Sequence, residues 1–295
     1  MSDYSEILKT ITLLFEKYKT EDVLNLPKYS KWPEILLESD KDKFSIKTKS
    51  SIYDEYENDK WGTLHNQIVK NKAKSIKEIR NTFFGKEILP AKWMNNYFKL
   101  NGEQYSHIQS NLIAEVMRKY KPDNVIELGA GFGSMMLGVI GSNYFKGVGY
   151  YCGELTHSGR SLLKKIGLLN GIDLTVFEND FHQDVIAGID LPEDAIIFTS
   201  LAICEVPGLG DDIIDKIISL KPKIVINLEA TYPNNNTLID LLIKKYIVHN
   251  DYNRVFQKSI DKYSKSGRIK LLYKHEHIIG RNPLRPASLF VWSPR

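Results

Sequence analysis

The chain alternates two hydrophobic patterns. Short runs that are almost wholly apolar, NVIEL at 124–128, GVGYYC at 147–152, LTVF at 174–177, AIIF at 195–198 and KIVINL at 223–228, are bounded by Gly, Pro, Asp or Asn. Their length and β-branched content predict strands buried on both faces, as parallel strands covered by helices must be. Between them, residues 105–123, 155–169 and the stretch DDIIDKIISLK space their apolar residues along one helical face. Alternation of strand and helix implies right-handed βαβ units and a parallel sheet. Beyond residue 266 the pattern changes, because RIKLLYKHEHIIG and ASLFVWSP read as strands joined by GRNPLRP with no helix between. An antiparallel pair at the C-terminal edge is expected there.

The first hundred residues differ. SEILKTITLLFEKY is an amphipathic helix, residues 40–60 are dense in charge and tyrosine, and helical spacing returns in KAKSIKEIRNTFF and AKWMNNYFKL. With no repeated strand pattern and no flexible linker, residues 1–100 are expected to form a mainly helical cap over a domain spanning 101–295. Its aromatics Trp32, Tyr53, Tyr56, Trp61, Trp93, Tyr97 and Phe98 are candidates to line a substrate cavity, although most should be packing residues.

Composition narrows the class. A chain of 295 residues with 42% hydrophobic content can bury a full α/β core and carry a second subdomain. Forty basic against thirty-six acidic residues give +4 with no basic tract, so nothing demands a nucleic-acid partner. No apolar run approaches the roughly 18 residues needed to span a membrane. The N-terminus lacks the basic and apolar regions of a signal peptide, and a cytoplasmic protein is expected. Cys152 and Cys204 lie in apolar runs and read as buried thiols, and neither CxxC nor HExxH occurs, so no metal is assigned.

The candidate chemistry starts at ELGAGFGS, 127–134, where a strand turns through Gly129, Gly131 and Gly133 into a helix. Glycine permits positive φ and close approach of a ligand to the backbone, and the helix start offers N–H donors. A tight turn alone is the other reading. The dinucleotide fingerprint would need a glycine where Ser134 stands. The pattern is instead E-x-G-x-G-x-G, and here the sequence resembles the class I S-adenosylmethionine-dependent methyltransferases. Downstream matches follow in order: Glu154 ends the second strand, and Asn179, Asp180 and Phe181 end the third. The resemblance covers roughly 101–295. It implies a doubly wound α/β fold with a mostly parallel seven-stranded sheet and an antiparallel C-terminal pair. It also implies S-adenosylmethionine as cofactor, held by Glu127, Gly129, Gly131 and Gly133, with Glu154 on the ribose hydroxyls and Asp180 and Phe181 at the adenine.

Acceptor chemistry belongs at the carboxyl ends of strands four and five. Glu205 and Glu229 stand nearest as candidate bases or orienting groups, each with a structural alternative as a helix cap or an ion-pair partner. Tyr252 and Arg254, with His249, form a polar cluster whose alternative is a helix start capped by Asn250 or Asp251. Asn282 and Arg285 form another. Tyr105 and Gln109 are candidate contacts to the methionine half of the cofactor. No N-P-P-Y sequence ends strand four, no Pro-Cys nucleophile motif occurs, and no trio of magnesium ligands stands out. The expected acceptor is an O or N atom of a small molecule, sugar or peptide in a biosynthetic pathway. A nicotinamide-dependent oxidoreductase and a catalytically silent scaffold are the alternatives, and a homodimer is left open.

Overall fold

A computed structural model describes residues 2–29, 46–70, 76–183 and 189–295; Trp32 lies outside the described residues. Ten strands form one sheet: β1 (Thr20–Glu21), β2 (Leu89–Trp93), β3 (Asn96–Leu100), β4 (Asn124–Leu128), β5 (Gly149–Glu154), β6 (Thr175–Glu178), β7 (Ile196–Ser200), β8 (Ile224–Ala230), β9 (Ile269–Gly280) and β10 (Ala287–Pro294). Their order is β1-β3-β2-β9-β10-β8-β7-β4-β5-β6. Strands β4 to β8 are mutually parallel, and β10 lies antiparallel between β8 and β9. Chain order runs one way through β4, β5 and β6 and the other way through β7 and β8, so a crevice opens at the carboxyl ends of β4 and β7.

The apolar runs are buried on both faces because successive residues enter opposite cores. Val125, Ile196, Phe198, Ile224 and Ile226 pack with the Ser2–Phe15 and Gly102–Arg118 helices. Ile126, Ile197, Val225, Phe290 and Trp292 pack with the Asp212–Ser219 and Phe256–Lys265 helices. Period-two alternation of this kind is what a sheet covered by helices on both sides needs. Among the described residues, no helix is long and apolar enough to cross a membrane. Both cysteines are buried and free.

Two expectations need correction. Among the described residues the sheet has ten strands rather than seven, and the first hundred residues supply three of them. AKWMNNYFKL, read as helical, is a hairpin in which Leu89 pairs with Leu100 and Trp93 with Asn96. Its turn holds Met94 at φ 51°, and the Met94 amide donates to the Ile278 carbonyl at 2.7 Å. The physical reason is the long edge of β9: β2 pairs Lys92 with Gly280 and Trp93 with Ile279, covering backbone that would otherwise lack partners. Apolar residues at 93, 94, 97 and 98 mimic helical spacing only because the turn interrupts the alternation.

Trp93 anchors this extension. It is 1% exposed, donates from Nε1 to Thr12 Oγ1 at 2.9 Å, and stacks on Phe15 with ring centroids 5.3 Å apart. Trp93→Ala is expected to cost about 3–5 kcal/mol in denaturant-induced unfolding; a loss below about 1 kcal/mol would show that the hairpin is not integral to the core.

Candidate active site

Strand β4 ends at Glu127, and the chain then turns through Gly129, Gly131 and Gly133, whose φ values of +73°, +57° and +83° suit residues without a Cβ. Side chains from three neighbouring strand ends each accept one amide of this turn or of the helix it starts. Asn179 Oδ1 accepts from Gly129 N at 2.9 Å, Glu154 Oε2 from Gly131 N at 2.9 Å, and Glu127 Oε2 from Met136 N at 3.0 Å. The last bond gives the Glu127 carboxyl to a free amide at the N-terminus of the Ser134–Gly141 helix. Glu154 Oε1 also accepts from the amide and hydroxyl of Thr156, at 3.0 and 2.6 Å.

The glycines also serve packing inside the protein. A Cβ on Gly129 would stand 2.4 Å from Ala202 Cβ, one on Gly131 2.7 Å from Trp61 Cζ2, and one on Gly133 2.5 Å from Leu163 Cδ2. Ligand approach is therefore not the only reason for bare backbone here, and a Gly131→Val change would disturb the Trp61 contact as well as any ligand.

Above the turn lies a cavity of about 330 Å³, within the size range of small-ligand sites. Glu127, Gly129, Gly131, Glu154, Asp180, Phe181 and Glu205 all line it, as does Gln109. Gln109 donates from Nε2 to Ser200 Oγ at 3.0 Å. Gly133 shapes the turn without lining the cavity. The roof comes from the charge-rich N-terminal stretch: the Lys49–Asp54 helix, started by the Thr48 capping box, runs into a π-helical segment, Glu55–Gly62. Ile52, Tyr56, Lys60 and Trp61 from this roof face the cavity with Phe83 and Phe84. The roof is tied down by Lys49 to Asp180 at 2.5 Å, by Lys47 to Glu205 at 3.2 Å, and by Glu57, whose Oε2 accepts from Ser158 N at 3.0 Å.

Burial pushes the Glu127 carboxyl well above the ordinary range, and neighbouring Glu154 adds to the effect. Burial also raises Glu154, against the pull of its hydrogen bonds from Thr156 and Gly131. Asp180 and Glu205 go the other way. Burial would raise both, but Lys49 outweighs it at Asp180, and Arg285 with Lys47 outweighs it at Glu205, so both are held ionised.

Glu229, Tyr252 and Arg254 are not among the cavity-lining residues. Glu229 is fully buried in β8, and its two oxygens accept from Ala202 N at 3.1 Å and Cys204 N at 3.0 Å. It thereby shapes the loop that carries Glu205. Tyr252 is buried behind the site, its ring facing Lys47 at 5.1 Å and Arg285 at 4.4 Å. Arg254 pairs with Asp251 at 3.1 Å, and Asn253, rather than Asn250 or Asp251, receives the Val255 and Phe256 amides where the next helix starts. Tyr105 is buried in the core. Of the seven N-terminal aromatics, Tyr56 and Trp61 reach the cavity, while Trp93, Tyr97 and Phe98 pack in the cores. Sequence reasoning missed Lys49, Lys60, Phe83, Phe84 and Phe132; only the density of charge and aromatics at 47–61 pointed to part of that set.

Replacing Glu229 by glutamine leaves one acceptor for two loop amides. Glu229→Gln is expected to destabilise the protein by about 1–3 kcal/mol in thermal or chemical unfolding; unchanged stability would remove Glu229 from the loop's support.

The residues present fit an S-adenosylmethionine type of ligand. Glu154 and Asp180 are acceptors at successive strand ends, and Phe181 offers an apolar face. Among the described residues Trp61 Nε1 is a buried donor without a hydrogen-bond partner, and its ring edge lies against Gly131. No protein-family model matches the chain, and no curated protein matches it. Solved structures do. The magnesium protoporphyrin IX methyltransferase ChlM from Synechocystis PCC 6803, with bound SAH, is 12% identical, and the match covers 84% of this chain and 100% of that one with a TM-score of 0.52. PigF with SAH matches at 15% identity over 83% of this chain and 72% of that one, and the mitomycin 7-O-methyltransferase MmcR at 10% over 98% and 83%, both with a TM-score of 0.43. Strand order, turn and the ChlM likeness agree: the chain has the fold of the class I S-adenosylmethionine-dependent methyltransferases.

Proposed function

We propose that the protein is an S-adenosylmethionine-dependent methyltransferase acting on an O or N atom of a small-molecule, sugar or peptide intermediate in a biosynthetic pathway. The observation that carries this reading is the convergence of Glu127, the glycine turn, Glu154 and Asp180 on one cavity at the ends of three adjacent parallel strands. When bound, S-adenosylmethionine supplies a methyl group activated on a sulfonium cation. Glu154 would hold the ribose hydroxyls, Asp180 and Phe181 the adenine, and Glu127, the glycine turn and Trp61 Nε1 the methionine part. Residues 1–100 serve as the covering and acceptor-binding part, and 101–295 as the cofactor domain.

Positioning and exclusion of water are the chain's main contributions to such a transfer. The roof residues Tyr56 and Trp61 close the cavity over the turn. Glu205 is a weak proton acceptor, because Arg285 and Lys47 hold its carboxylate ionised. Its role in this reading is to orient charge at the acceptor end. Glu229 supports the Glu205 loop from below.

The buried acids give a signed prediction. Glu127 and Glu154 have raised pKa values, so the free protein retains their protons above the ordinary carboxyl range. A ligand that sets positive charge and hydroxyl donors against them favours the ionised forms, so binding should release protons and tighten as pH rises through that window. Calorimetric titration with S-adenosylhomocysteine should show binding whose apparent heat differs between phosphate and Tris buffers, and Glu154→Gln should weaken it roughly tenfold or more, about 1.4 kcal/mol. Binding of NADH instead, or heats independent of buffer, would contradict the assignment.

A further inference from the structure

We propose that the methyl acceptor is an aryl acid, a planar aromatic molecule bearing one carboxylate, held between the cations Lys60 and Arg285 at the Glu205 end of the cavity. This deepens the methyltransferase reading and rests on it for the role of acceptor. The charge comes from an alternating ion-pair chain. Lys60 lies 2.8 Å from Glu55, Glu55 3.7 Å from Lys47, Lys47 3.2 Å from Glu205, and Glu205 pairs with Arg285. Three cations alternate with two carboxylates, so the chain carries one excess positive charge. Both terminal members, Lys60 and Arg285, line the cavity.

The other acids that line the cavity do not cancel this charge. Asp180 is matched by Lys49, and Glu127 and Glu154, whose burial favours the neutral form, sit on the glycine-turn side bonded to amides. Arg285 Nε is buried with no hydrogen-bond partner among the described residues, a donor left over after the guanidinium has met Glu205. A buried donor without an acceptor is costly, and a ligand oxygen would relieve it. One excess charge suits a monoanion better than a phosphate dianion, and it disfavours an amine.

The aromatic wall at this end is Tyr56, with Lys60 Nζ 3.9 Å from its ring centroid, and Ile52 and Val206 also line the cavity. From Tyr56 the wall runs on toward the glycine turn, through Trp61 at 5.7 Å between ring centroids, Phe83 5.3 Å from Trp61 and Phe132 4.8 Å from Phe83. Flat apolar walls with cations beside them match an aromatic ring with an acidic substituent.

The test is calorimetric titration of the full chain, alone and with S-adenosylhomocysteine, using 4-hydroxybenzoate and 4-hydroxycinnamate, their carboxamides, and 4-hydroxybenzylamine. The acids should bind roughly tenfold tighter than the amides, and Lys60→Gln, a change at a partly exposed side chain, should bring that ratio to about twofold or less; Arg285→Lys, which keeps the charge and removes the guanidinium, should also reduce it. Amides binding as well as acids, the amine binding best, or none of these probes binding would overturn the proposal. Retained acid preference in a protein that does not bind S-adenosylhomocysteine would keep the anion site and overturn its role as a methyl-acceptor subsite.

Discussion

Three hydrogen bonds govern the geometry of the site. Asn179, Glu154 and Glu127, each at the end of a different parallel strand or just past it, accept the amides of Gly129, Gly131 and Met136. Each acceptor is buried, so these bonds form away from water, where a lost partner is costly. They fix a turn whose glycines all have positive φ and set the following helix with its N-terminus toward the cavity. The register of β4, β5 and β6 therefore determines where a ligand can lie.

The same bonds give the acids a double duty. A carboxyl group that anchors the turn with one lone pair keeps others for a ligand, so scaffold and candidate ligand site share the same atoms. The roof follows this economy. Trp61 packs on Gly131 and Lys49 pairs with Asp180, so residues from the first hundred touch the turn and the third strand end directly. Glu205 joins the roof to the rest of the cavity through Lys47 and Arg285.

The parallel half of the sheet was legible because β4, β7 and β8 are apolar runs with both faces buried, a pattern that depends on local composition. That Glu127, Gly129, Gly131, Glu154, Asp180 and Phe181 share one cavity was legible because E-x-G-x-G-x-G and the next two strand ends lie at fixed chain positions. The β2–β3 hairpin was not legible, since its pairing with β9 joins residues nearly two hundred positions apart and its turn mimics helical spacing. Nor could sequence separate Glu205 from Glu229. Both are acids near strand ends, but Glu229 lies within a strand whose residues are all buried, whereas Glu205 ends a short 3-10 turn facing the cavity. The partners that make this difference, Lys47, Arg285 and the Ala202 and Cys204 amides, come from distant or looped segments.

In the proposed reading, the glycine turn and the N-terminal roof hold one cofactor together. Hydrogen–deuterium exchange with and without S-adenosylhomocysteine tests it most directly. Exchange should slow roughly tenfold, about 1.4 kcal/mol of added protection, in both residues 129–136 and residues 49–62, with the Asp212–Ser219 helix unchanged. Protection of neither segment, or of the turn without the roof, would contradict it.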